Sequence, residues 1–98
     1  MFGFENKLDN EVDLGGIFIG LVVYTADPKG LERIRVRVLG VHNMDDVTKE
    51  NSIWASHLAP SKSSSGEIPN VDDYVYIMFV QKDPMNPVWL GWVRFIQG

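Results

Sequence analysis

The chain has 98 residues, enough for one domain, and its 45% hydrophobic and 11% aromatic content is far from that of a disordered chain. Thirteen acidic residues against nine basic ones give a net charge of −4, which argues against a partner recognised through its phosphates. There is no cysteine, hence no disulfide framework and no thiolate metal site, and the longest apolar run is too short to span a membrane as a helix.

Residues 1–16 show no clean period and end in Gly15-Gly16; they are expected to form a flexible N-terminal arm or tail. Their acidic, polar start lacks the basic and apolar regions of an export signal, so a soluble chain without stable membrane anchoring is expected. Phe2 and Phe4 are costly to leave in water and mark the arm as a segment that orders on a partner. The barrel proper is expected over residues 17–98.

Ile17 to Tyr24 is apolar at nearly every position and predicts a first strand covered on both faces. Thr25 to Gly30 is a turn: Pro28 presets φ and Gly30 tolerates a positive one. Strict alternation follows, with Arg33, Arg35 and Arg37 on one side and Ile34, Val36 and Val38 on the other. Successive strand side chains point to opposite faces, so this is a second strand in an antiparallel hairpin with the first.

Val41 to Ser52 reads as a polar loop, and Ile53 to Ala59 as a weaker third strand ended by Pro60. Ser61 to Gly66 is too small and polar to pack and is expected to be a mobile loop. The fourth strand, Tyr74 to Val80, puts Val75, Ile77 and Phe79 on a core face. Tyr74, Tyr76 and Met78 then form an opposite face that is hardly polar. Lys82 to Asn86 turns the chain into a fifth strand, Pro87 to Phe95. No segment has a helical period, so the expected class is all-β, a five-stranded OB-fold Greek-key barrel.

Candidate chemistry is thin. His42, Asp45, Asp46 and His57 match no metal-ligand spacing, and the pairs Asp45-Asp46 and Asp72-Asp73 sit beside turns as turn formers and solvated charge. Ser63-Ser64-Ser65-Gly66 lacks a nucleophile elbow, and no glycine-rich phosphate loop occurs. The expectation is a protein that is not an enzyme and has no catalytic residues, cofactor or metal. Binding is the stronger class. OB barrels hold single-stranded nucleic acid by basic grooves with aromatic platforms, for which Arg33, Arg35, Arg37 and Arg94 with Tyr74, Tyr76, Trp89 and Trp92 are the ingredients. The acidic balance disfavours that alternative. Arginines and aromatics are also the residues enriched in protein interfaces, and the first, fourth and fifth strands carry more apolar surface than one small barrel can bury.

The order of motifs resembles the N-terminal OB-fold domain of the central spike and baseplate hub proteins of contractile phage tails, and the similar valine-glycine-repeat spikes of type VI secretion. The residues that carry it are Gly20, Asp27-Pro28-Lys29-Gly30, Arg33 to Val38, Trp54-Ala55, Pro69 through Phe79, and Pro87-Val88-Trp89-Leu90-Gly91, covering roughly residues 17 to 92. Two departures stand out: Glu32 occupies the place of a glycine before the first arginine, and Asp72 that of a glycine before the acidic residue of the fourth strand. The sequence also stops at Gly98 without a β-helical needle. The resemblance implies a structural, non-catalytic virion component of a contractile injection device, made in the host cytoplasm and placed in the tail baseplate. It implies a homotrimer or a place on a trimeric baseplate hub protein; with no needle here, the expectation is either an excised or small stand-alone version or a separate needle or spike polypeptide. The residues expected at contacts between chains are Arg33, Arg35, Arg37, Tyr74, Tyr76, Trp92, Phe2 and Phe4, and nucleic acid is not an expected partner.

Overall fold

A computed structural model describes residues 13–59 and 66–94. Five strands follow one another: β1 (Phe18–Tyr24), β2 (Ile34–Val38), β3 (Ile53–His57), β4 (Tyr74–Phe79) and β5 (Pro87–Trp92). They close into a barrel in the order β1-β2-β3-β5-β4, with β4 returning to β1. Every neighbouring pair is antiparallel except β3 with β5. This is the all-β, five-stranded OB architecture expected from the strand pattern. The second strand is shorter than its alternation suggests, because Arg33 is held by the preceding turn. The arm residues Phe2 and Phe4, and Ser61 to Ser65 of the expected mobile loop, lie outside the described residues.

Alternation fills the interior. Val22, Ile34, Val36, Val38, Ala55, Val75, Ile77, Phe79 and Trp89 form one buried cluster, which includes all six residues placed in the core by period alone. Phe18 meets Phe79 edge to face at 5.6 Å, and Leu14 and Val41 also pack against the cluster. Gly20 is buried on β1, opposite Val38 on one side and Val75 on the other. A Cβ there would lie 2.8 Å from Ile77 Cγ1, so glycine lets the two strands close over the Ile77 side chain.

Two glycine-like backbone positions carry other residues. Glu32 has φ +61° and Asp72 φ +78°, the left-handed region that side chains other than glycine resist. They are the two departures noted in the sequence. A third such place is the β4–β5 connection, where Gln81 and Lys82 both have positive φ and the Asp83 N–H donates to the Val80 carbonyl, as in a type I′ turn.

β1 departs from expectation in one respect. Its inward Gly20 and Val22 are buried, but Ile19, Leu21 and Val23 are only half-buried, so its second face is not covered by the described residues.

Candidate functional site

The arginine stripe stands on the outer face of β2, and each guanidinium is engaged by the chain's own loops. Arg33 grips Asp27 with both arms, Nε to Oδ2 at 3.0 Å and Nη2 to Oδ1 at 2.9 Å. The same carboxylate accepts the backbone N–H groups of Lys29, Leu31 and Arg33, and the Gly30 N–H donates to the Asp27 carbonyl. The Asp-Pro-Lys-Gly turn is thus folded around one acid. The Arg33 guanidinium holds the Asp27 carboxyl well below the usual carboxylate range, with the backbone donors adding to the effect.

Arg35 donates from Nε to Ser52 Oγ (2.9 Å) and from Nη2 to the Ser52 carbonyl (2.7 Å), while Arg37 donates to the carbonyls of Asn51 and Asn43. Both therefore fasten the 39–52 loop to the barrel. Trp54 of β3 lies beneath Arg33 and Arg35 at 4.4 and 5.1 Å, and meets Tyr24 edge to face. Lys49 sits 4.0 Å over the Tyr24 ring. The result is a cation–aromatic row across β1, β2 and β3.

The opposite wall, β5-β4-β1, differs in kind. None of its three strands carries a charged or amide side chain. Tyr76 and Met78 point outward, 39% and 37% exposed, with Val80 following at 41%. The register sets Ile19 beside Tyr76, Leu21 beside Tyr74, and Met78 beside Val88. Trp92, opposite inward Val75 and edge to face with buried Trp89 at 5.8 Å, caps the barrel end instead, 41% exposed, with its Nε1 donating to Asp73 Oδ2 at 3.3 Å. Tyr74 and Tyr76 thus belong to one surface, and Trp92, expected beside them, does not. Arg33, Arg35 and Arg37 belong to the next, and the two meet where Arg37 lies opposite Leu21.

Trp89 corrects an expectation. Counted among the aromatics that could stack on bases, it is fully buried, donates from Nε1 to the Glu32 carbonyl at 3.2 Å, and stacks on His57 at 4.1 Å. Its inward direction follows from the unbroken ladder Phe79↔Pro87, Met78↔Val88, Ile77↔Trp89, which sets Trp89 opposite buried Ile77; the register shift lies beyond it. His57 in turn meets Glu32 Oε1 at 3.1 Å.

His42 and His57 are apart in role. The Val38 N–H donates to His42 Nδ1, and burial, with the Arg37 charge adding, pushes the His42 pKa below its usual 6.5. Among the described residues no group of three or more His, Cys, Asp or Glu is placed to hold a metal, and no helix is long and apolar enough to cross a membrane. The sequence reading did not single out Asp27 as an acceptor or Glu32 as a contact of Trp89. The Asp-Pro-x-Gly turn two residues before the Arg-x-Arg-x-Arg alternation was the visible signal for the first.

No curated protein matches the chain. Residues 18–93, from the start of β1 to just past β5, match the model of the type VI secretion system/phage-baseplate injector OB domain. A closed five-stranded barrel, an acid-centred turn and an uncharged outer wall fill that span, and the chain belongs to this baseplate injector family.

Proposed function

We propose that this domain is a structural, non-catalytic part of a baseplate hub or spike in the tail of a contractile injection device, linking the central hub to the puncturing tip. The observation that carries the reading is the β5-β4-β1 wall. Barrel strands alternate between core and solvent, so an outer face without one charged side chain across three adjacent strands favours burial against protein. Membership of a baseplate family supplies the setting for such burial. The arginines support the same reading, since donors already directed at loop carbonyls and at Asp27 are poorly placed to neutralise phosphates.

Native mass spectrometry and light scattering test it. The full chain should form a trimer, or join a trimeric baseplate hub protein, and Tyr76→Lys should prevent either. A strict monomer that ignores hub protein would overturn the reading. Titration with single-stranded DNA should give weak binding at physiological salt. Tight, steeply salt-dependent binding would favour the nucleic-acid alternative instead.

A further inference from the structure

Residues 1–12 lie outside the described structure, yet their sequence carries a pattern the wall can use. Phe2, Phe4, Leu8, Val12 and Leu14 fall on even positions, and every odd position from Glu5 to Asp13 is charged. Asn6 and Asn10 interrupt the apolar set and hide the period. A strand with this alternation has one apolar and one charged face.

Its direction is fixed at the point where it meets the barrel. β1 pairs with β4 so that Phe18 faces Ile77 and Leu21 faces Tyr74. The same register carried backward sets Asp13 opposite Lys82, and Asp13 Oδ1 lies 3.5 Å from Lys82 Nζ. The chain turns away from β4 at Gln81 and Lys82, where φ becomes positive. Beyond Asp13, then, β4 offers no backbone to pair with. Between Phe4 and Leu14 there is neither glycine nor proline, and the turn-forming residues are limited to Asn6, Asp9, Asn10 and Asp13. Twelve extended residues reach ~40 Å, far enough to cross a neighbouring barrel.

We propose that residues 1–12 of one copy lie as a strand across the β5-β4-β1 wall of a neighbouring copy. Phe2, Phe4 and Leu8 sit on Ile19, Tyr76, Met78 and Val88, and Glu5, Lys7, Asp9 and Glu11 face outward. The arm and the wall complement each other: the wall has no charge to strand beneath an apolar face, and the arm replaces an uncharged surface with a charged one. This inference rests on the wall being an assembly surface.

The test compares the full chain with Phe2→Ser/Phe4→Ser/Leu8→Ser and with Tyr76→Lys by sedimentation across concentration, with circular dichroism as the check on folding. Both variants should self-associate at least tenfold more weakly than the unaltered chain. A peptide of residues 1–14 should compete with association of the unaltered chain and shift the Tyr76 and Met78 amide resonances, a readout that needs no variant to fold. If the arm variant associates normally while Tyr76→Lys does not, the wall is an assembly surface but the arm is not its occupant. If neither variant changes association, the assembly reading of the wall falls as well. A monomer whose wall resonances move in the arm variant would place the arm on its own barrel and overturn the exchange.

Discussion

Replacing Gly20 with alanine tests whether barrel closure depends on the missing side chain. The added Cβ would stand 2.8 Å from Ile77 Cγ1, 3.3 Å from Ile77 Cδ1 and 3.5 Å from Val36 Cβ. Carbon atoms rest at about 3.5–4.0 Å, so the first contact overlaps by roughly 0.7 Å or more. Ile77 is fully buried, and Gly20 is held in register by strands on both sides, so neither can yield freely. Overpacking of this kind costs about 1–3 kcal/mol, which in a domain of this size lowers the melting midpoint by roughly 5–20 °C. Ile77→Ala alone should cost about 2–5 kcal/mol, because it leaves a cavity. It also removes both clashing carbons. The double variant should therefore be no less stable than Ile77→Ala, giving a coupling energy of about 1–3 kcal/mol in a double-mutant cycle. Urea denaturation followed by tryptophan fluorescence measures all four corners. Additive costs would refute the argument, since Gly20 would then be required for some reason other than its approach to Ile77.

Three further outcomes follow from the turns and the titrating groups. Asp27 has a folded-state pKa below its usual 3.8, so its contribution to stability is complete above that value and is lost as the pH falls beneath it. Asp27→Asn should therefore be less stable at neutral pH, with the gap closing in acid; a constant gap on denaturant titration at each pH would contradict this. His42 also has a lowered pKa, so stability held above its usual 6.5 should decline as the pH drops through the lower folded value. An imidazole titration by NMR that places His42 above 6.5 would contradict that cause. Asp72→Gly should stabilise the fold by about 0.5–1 kcal/mol, the left-handed strain relieved less the entropy glycine adds to the unfolded chain, and thermal denaturation checks it.

Strand pairing was readable where alternation was clean. Ile34, Val36 and Val38 lie inside because a period of two leaves no other arrangement, and Val75, Ile77 and Phe79 follow the same logic. Trp89 was not readable in that way. Pairing with β4 turns Trp89 inward opposite Ile77, and the shift past it then brings Trp92 opposite inward Val75; neither the hairpin register nor the shift leaves a mark in the period of β5 alone. The partners of the arginines were hidden for a related reason. Alternation says which side of β2 they occupy, but Asn43, Asn51 and Ser52 reach them through a loop whose path has no period. Glu32 and Asp72 are the converse case. They stand where the resembled family carries glycine, and both have positive φ.

The barrel is a ring with one thin seam. β4 and β5 share five register pairs, and β1 shares four with each of its neighbours, whereas β3 and β5 are joined by two, Ser56 with Val88 and His57 with Trp89. The indole of Trp89 spans that seam, stacked on His57 and bonded to the Glu32 carbonyl. Direction of force therefore matters. Thrust along the strands loads every ladder in shear at once, but a pull across β3 and β5 unzips two pairs in succession. In a device that drives forward, a ring of this kind holds best with its seam turned away from any sideways tension.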